Sequence, residues 1–125
     1  MITRPLASPG TPRDAKGLLA TAIADPNPVL FFEHKHLYRR LKEEVPDERY
    51  EIPFGKARIH REGDDVTVVT WGAMVHTAAE AADRVLAEDG ISTEVVDLRT
   101  IIPWDREAVL RSVSKTSKAL VLHED

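Results

Sequence analysis

The sequence predicts an α/β fold, and three observations carry that prediction. Residues 56–125 alternate strand-type and helix-type segments at regular spacing. The segments "VTVVTW" and "TEVVDL" are rich in β-branched residues, as strands of a sheet are. Between them "AMVHTAAEAADRVLAEDG" is alanine-rich and closes on Gly90, a C-terminal helix cap. Strand, helix, strand, helix, strand implies a mainly parallel sheet with right-handed crossovers.

The elements follow in order. In "SPGTPRDAKGLLATAIADPNP", Thr11 suits an N-cap and Pro12 the first helical position, where a missing N–H costs nothing. Asp14 falls in the first turn, where a carboxylate favours the positive end of the helix dipole. Leu18, Leu19, Ala22 and Ile23 form an apolar stripe. The two prolines of "DPNP" end the helix. "VLFFE" reads as a short buried strand of parallel-sheet type. "HKHLYRRLKEEVPDERYEIPFGKA" is charged and broken by Pro46 and Pro53, and reads as a linker with a turn or two of helix over residues 37–44. "ARIHRE" then reads as a strand, "EGDD" as a hairpin turn, and "VTVVTW" as a central strand. "REAVLRSVSK" is the last helix and "KALVLHE" the last strand. Three units result: residues 1–36, a linker over 37–55, and residues 56–125.

Composition narrows the function. A net charge of −4 gives no reason to expect nucleic-acid binding. No apolar run reaches the ~20 residues a membrane span needs, and the first residues lack an apolar signal core. The absence of cysteine removes disulfides, thiolate metal sites and cysteine nucleophiles. A cytosolic location is expected.

Several constellations invite chemistry. The turn "TWGAMVH" after a strand resembles a nucleotide-binding position, but Gly72 stands alone where a pyrophosphate site needs three glycines. Glu33, His34 and His36 could contribute to a zinc site if the strand continued through them, yet no third ligand follows at a recognisable spacing. His60 on an edge-type strand and His76 at a helix start read as structural or exposed. His123 beside Glu124 ends a strand on the face where open α/β sheets place ligands, as do Asp97 and Arg99 in "DLRTIIPWD". In "AIADPNP" the helix-end carbonyls near Asp25 and Asn27 lack intrahelical partners and could serve a hard cation or solvent.

Taken together, "SPGTPRDAKGLLATAIADPNPVLFFEHKHLYR", "EEVPDERYEIPFGKARIHREGDDVTVVTWGAMVHTAAEAA" and "STEVVDLRTIIPWDREAVLRSVSKTSKALVLHED" resemble the beta subunit of the thiamine-dependent 2-oxo acid dehydrogenases. The resemblance runs from about Pro5 to the last residue and rests on many words in order. "DLRTIIPWD" with a terminal "HE" looks most like the branched-chain type, with the pyruvate type next and the acetoin type third.

The resemblance implies a fold and a function. Residues 1–36 would be the C-terminal remnant of a pyrimidine-binding α/β domain, and 56–125 the first part of a transketolase C-terminal-type domain. The complete enzyme would oxidatively decarboxylate a 2-oxo acid on thiamine diphosphate with magnesium and pass the acyl group to a lipoyl partner. Its partners would be the alpha subunit, a second beta subunit and a lipoyl acyltransferase core. The family's cofactor-contacting glutamate and catalytic histidine lie upstream of the matching stretch, so no catalytic or thiamine-binding residue is assigned and the chain alone is expected to be inactive. By resemblance, Ala22, Ile23, Asp25 and Asn27 match the helix end and turn that hold a structural potassium ion. Arg13 departs from the family's usual aromatic in "TPYDAKG". In the loop, the resemblance makes Asp105 a helix cap and leaves Ile101, Ile102 and Trp104 needing cover from neighbouring segments or subunits. Two other readings stay open: a non-catalytic interaction module, and an independent nucleotide binder. An incomplete sheet leaves an unpaired edge, so the isolated chain is expected to be poorly soluble.

Overall fold

A computed structural model describes residues 4–124 of the chain. Two sheets organise it. Strands β3 (Arg58–Arg61), β4 (Val66–Thr70), β5 (Thr93–Asp97) and β7 (Ala119–Val121) form a four-stranded sheet in the order β3-β5-β4-β7. β4 runs parallel to β5 and to β7, while β3 lies antiparallel to β5. The expected parallel run of strand, helix, strand, helix, strand is therefore present, with the antiparallel β3 on one edge.

A smaller sheet joins the first third of the chain to the rest. β1 (Leu6–Ala7) pairs in parallel with β2 (Leu30–Phe31) and antiparallel with β6 (Thr100–Ile102). β6 lies inside "DLRTIIPWD", where the sequence reading placed only a loop. "VLFFE" contributes just two paired residues, and Leu30 and Phe32 are exposed. The expected buried strand is thus a short, half-open one, because β2 has β1 on one side and no described strand on the other.

Local chemistry explains the helices. α1 (Pro12–Ala24) starts as read: Thr11 Oγ1 accepts from the Asp14 N–H at 3.2 Å, and Pro12 sits in the first turn. The linker is strapped along it. The Ile52 N–H donates to the Gly17 carbonyl at 3.1 Å, the Tyr50 hydroxyl donates to the Arg13 carbonyl at 2.6 Å, and the Lys16 ammonium caps the Pro46 carbonyl. The linker's own helix, α2 (Leu37–Arg40), is one turn long, shorter than residues 37–44.

α3 (Met74–Asp89) ends at Gly90 with φ 68°, the left-handed cap a glycine adopts without strain. It buries Val75, Ala78 and Ala82 against Val68 and Val95, with Leu122 beside them. α4 (Arg106–Thr116) docks differently. Its inner face is Ala108, Ser112 and Thr116, and hydroxyls make the contact. Thr67 Oγ1 lies 2.8 Å from Ser112 Oγ and 2.7 Å from Thr116 Oγ1, and Ser112 donates to Glu94 Oε1 at 2.6 Å. Lys115 closes the network on the other Glu94 oxygen. Burial alone would push the Glu94 carboxyl up, but bonds from Lys115, Ser112 and the Gly63 N–H hold it below its ordinary value. Among the described residues, no helix is long and apolar enough to cross a membrane.

One sequence-based reading is corrected here. "EGDD" is not a hairpin turn, because β3 pairs with β5 and not with β4. The connection instead crosses the start of β5, and Gly63 lies against it. A Cβ on Gly63 would come within 2.2 Å of the Thr93 carbonyl carbon and 2.3 Å of the Glu94 nitrogen. Both are backbone atoms that cannot swing away. Gly63→Ala is accordingly expected to destabilise the fold by about 1–3 kcal/mol, in the range of overpacking changes, seen as a lower urea midpoint. An unchanged midpoint would show that the crossing is looser than this contact implies.

Candidate functional site

The C-terminal ends of parallel strands are where an α/β sheet builds sites, and Asp97 stands at the end of β5. The chain turns sharply after it. The Leu98 N–H bonds the Thr70 carbonyl at 2.9 Å, and Arg99 takes φ 59°, a left-handed conformation unusual for a non-glycine residue. Asp97 Oδ1 supports that turn by accepting the Arg99 N–H at 3.0 Å. The outcome is that the Arg99 side chain reaches back across the molecule.

Two acids and two arginines meet there. Arg58 from β3 lies 3.2 Å from Asp14 Oδ2 and 3.3 Å from Asp97 Oδ2. Arg99 Nη1 lies 3.3 Å from Asp14 Oδ1, and its Nε and Nη2 donate to the Lys56 carbonyl at 3.0 and 2.8 Å. Asp14 is 2% exposed and Asp97 is fully buried, so both carboxylates have surrendered water. Burial pushes the Asp97 carboxyl up to about 6, against the opposing pull of Arg58. The cluster joins α1, β3, β5 and the turn, and its formal charges cancel. It is built to hold segments together.

The surrounding loop is equally engaged. The Ser8 N–H donates to the Arg99 carbonyl at 2.9 Å, and Gly55 N–H and Pro103 carbonyl both bond the Thr100 hydroxyl at 2.8 Å. Asp105 caps α4 through the Ala108 N–H at 3.0 Å, and its second oxygen takes the Ala57 N–H at 3.0 Å. Ile102 and Trp104 remain 43% and 47% exposed, in keeping with a surface that awaits cover. Sequence reasoning had singled out Asp97 and Arg99 but missed Arg58 and the burial of Asp14. The available signal was Asp14 in a helix's first turn beside an arginine-bearing strand, which does not by itself specify a contact across the chain.

The histidines scatter. β2 ends at Phe31, so His34 and His36 lie in a turn and not along a strand, their rings 6.0 Å apart and edge to face. His34 Nε2 instead lies 2.9 Å from Glu124 Oε2, and Glu33 accepts from the Tyr38 hydroxyl at 2.5 Å. His76 bonds the Gly10 carbonyl at 2.6 Å, with His60 packed edge-on at 5.9 Å. Burial, then the neighbouring Arg58 charge, lowers the His60 pKa. His123 stacks on Trp71 with ring centres 5.9 Å apart. Among the described residues, no three His, Cys, Asp or Glu are placed to share a metal ion.

The described residues do not fit the thiamine group that the resemblance implies. An aminopyrimidine needs a buried carboxylate free to meet it, but the buried acids Asp14, Asp97 and Glu94 are all held by Arg58, Arg99 or Lys115. A pocket of about 260 Å³ between α1 and α2 is lined by Pro9, Pro12, Glu33, His34 and Tyr38, and its one carboxylate is the exposed Glu33.

The potassium candidates sit together at the end of α1. The last helical bond runs from the Asp25 N–H to the Thr21 carbonyl at 3.0 Å. The Ala22 carbonyl would next accept from residue 26, which is proline and has no N–H. The Ile23 carbonyl would accept from Asn27, whose N–H goes instead to Asp25 Oδ1 at 2.8 Å. The backbone oxygens of Ala22 and Ile23 are therefore left without helical donors.

The ion cluster makes a pH-dependent contribution with a definite sign. A carboxyl raised from 3.8 to about 6 binds its proton more readily in the folded chain, so it favours folding below that window and loses the advantage as pH rises through it. The lowered His60 acts oppositely, which makes the difference between variants the useful quantity. The stability of the wild type minus that of Asp97→Asn should grow by on the order of 1–3 kcal/mol between pH 7 and pH 4. Urea titrations at stepped pH measure it, and a flat difference would refute the assignment.

Comparison with known proteins agrees with this architecture. The "Transketolase, C-terminal domain" family matches residues 55–125. The 2-oxoisovalerate dehydrogenase subunit beta of Bacillus subtilis (strain 168) is 56% identical over 96% of this chain. A pyruvate dehydrogenase beta subunit of the same organism is 54% identical over 93% of the chain. The chain spans only 36% and 35% of those two proteins, about a third of their length. Among solved structures, a split-gene transketolase described as an inactive beta4 tetramer superposes over 99% of this chain and 40% of its own, with TM-score 0.81 and 27% identity. Pichia stipitis transketolase shares the fold at TM-score 0.63 and 17% identity, over 97% of this chain and 18% of its own. The chain belongs to the transketolase C-terminal domain family, and it corresponds to about a third of the 2-oxo acid dehydrogenase beta subunits that it matches.

Proposed function

We propose that this chain serves as the structural and assembly portion of a branched-chain 2-oxo acid dehydrogenase beta subunit. The observation that carries the reading is the 56% identity to the 2-oxoisovalerate enzyme's beta subunit, sustained over 96% of the chain. The complete enzyme would work in the cytosol with thiamine diphosphate and magnesium held outside this segment. It would decarboxylate a branched-chain 2-oxo acid and deliver the acyl group to a lipoyl acyltransferase core. The alpha subunit and a second beta subunit are the expected neighbours, and the exposed Ile102 and Trp104 are the apolar residues we assign to such contacts. We read residues 1–36 as the end of the pyrimidine-binding domain, 37–55 as the linker, and 56–125 as the start of the transketolase C-terminal domain. By itself the chain is inactive on this reading, because the glutamate and histidine that serve the chemistry in the family lie upstream of the matching stretch.

The test is a chimaera. Grafted in place of the matching third of the Bacillus subtilis 2-oxoisovalerate dehydrogenase beta subunit, this chain should keep dye-linked decarboxylation of 2-oxoisovalerate within about tenfold of the parent, a loss of 1.4 kcal/mol or less. A chimaera that assembles with the alpha subunit yet is inactive would refute the branched-chain reading; activity from the 125-residue chain with the alpha subunit alone would refute the assigned inactivity. The potassium reading is tested in the same chimaera. Exchange of sodium for potassium should raise its melting temperature through the backbone oxygens of Ala22 and Ile23 with Asp25 and Asn27. An identical melting temperature in both salts would dismiss that site.

A further inference from the structure

The junction of acids and arginines leaves Asp97 short of a partner. One nitrogen of Arg58, Nη2, lies 3.2 Å from Asp14 Oδ2 and 3.3 Å from Asp97 Oδ2, so two buried carboxylates share it. Asp14 has a second ion pair, with Arg99 at 3.3 Å. Asp97 has no second ion pair among the described residues, and its other bond comes from the Arg99 backbone N–H at 3.0 Å. A buried hydroxyl stands beside it. Thr70 pairs with Asp97 in the parallel register of β4 and β5, as Val68 pairs with Val95 two residues earlier. Register partners project to one face of a sheet, and Val68 and Val95 pack together against α3. Thr70 and Asp97 therefore stand side by side on that face, on strands about 4.8 Å apart. Both are fully buried, and Thr70 Oγ1 has no hydrogen-bond partner among the described residues. A hydroxyl so enclosed lowers stability until something bonds it.

We propose that Asp97 and Thr70 form a proton-operated latch at this junction. With a proton, Asp97 donates to the Thr70 hydroxyl and leaves Arg58 to Asp14; without one, Asp97 competes with Asp14 for Arg58. The proton comes from solvent and resides on the Asp97 carboxyl. Its O–H then meets an oxygen that the ionised arrangement leaves unused, and Thr70 Oγ1 has lone pairs to accept it. The two side chains need only turn toward each other across adjacent strands.

The charged groups that act on Asp97 are Arg58 from β3, Asp14 from α1 and Arg99 from the turn. His60 on β3 belongs to the same neighbourhood, where it feels Arg58, His76 from α3 and Asp14. Burial pushes the Asp97 carboxyl up to about 6, against the pull of Arg58, which brings the exchange within reach of mild acid. A carboxyl raised in this way favours the folded chain below the window and loses that advantage as pH rises through it. The latch therefore tightens in acid. What it holds is α1, because Asp14 lies in the first turn of that helix and gains the whole of Arg58 when Asp97 is neutral.

Urea titrations of the 125-residue chain at stepped pH test this by comparing the wild type with Thr70→Val, which keeps the side-chain shape and removes the hydroxyl. The folding constant of the wild type relative to Thr70→Val should rise about fivefold from pH 7.5 to pH 4, the size of one net hydrogen bond. Titration of His60 is common to both chains and cancels in this ratio. In an Asp97→Asn background, which cannot take up the proton, the same ratio should stay flat. A ratio independent of pH in the wild-type background would overturn the latch. So would a ratio that falls in acid, the result if Thr70 donates to the ionised carboxylate, or a rise that survives Asp97→Asn. Where Thr70→Val does not fold, Thr70→Ala gives the same comparison, since the space it leaves does not titrate.

Discussion

The fold depends on one buried electrostatic junction. Asp14 and Asp97 come from segments 83 residues apart in a chain whose two sheets share no strand. Neither carboxylate would remain charged out of water without a cation beside it, since isolated buried charges are among the costliest features a protein can carry. Arg58 lies between the two, and Arg99 reaches from Asp14 to the Lys56 carbonyl. Each acid thus makes sense only when α1, β3 and β5 are assembled together. The left-handed turn at Arg99 belongs to the same arrangement. Its backbone cost is offset by the Asp97 bond to its N–H and by the three donors it delivers.

This junction also explains the character of "DLRTIIPWD". A segment that must reverse direction, supply β6 to a small sheet, cap α4 and return an arginine inward has little freedom left for a flexible loop. Thr100 ties Gly55 to Pro103, and Asp105 holds both α4 and the Ala57 N–H. The polar side chains point toward these tasks. The apolar ones, Ile102 and Trp104, are left on the outside.

Much of this was legible in the sequence, for physical reasons that differ by element. The caps of α1 and α4 and the end of α3 are local: Thr11, Asp105 and Gly90 act on residues within one turn, so their neighbours suffice to identify them. The parallel run through β4, β5 and β7 follows from the alternation of elements. What could not be read is non-local. The word "EGDD" has hairpin composition, and only the pairing of β3 with β5 shows that its glycine serves a backbone crossing. β6 is three residues long and is defined by its partner β1. Arg58 and His60 share a strand face, yet nothing in "ARIHRE" says that one meets buried acids and the other a histidine. The helix-end oxygens at Ala22 and Ile23 were within reach because proline's missing N–H is a property of the sequence itself.

The hydroxyl network under α4 has a consequence for where its protons lie. Ser112 has one hydrogen, and it goes to the Glu94 carboxylate. The bond between Thr67 and Ser112 must then be donated by Thr67, and the bond between Thr67 and Thr116 by Thr116. Three rotors that could each point several ways are reduced to one sequence, Thr116 to Thr67 to Ser112 to Glu94. The carboxylate at its end sets that direction, and such chained bonds strengthen one another. The Thr116 hydroxyl also donates toward the Ser112 carbonyl at 3.3 Å and the Lys118 carbonyl at 3.0 Å, so its hydrogen is shared among several acceptors. The chain of hydroxyls lies on the buried face of α4, and Leu110 stands exposed on the same helix.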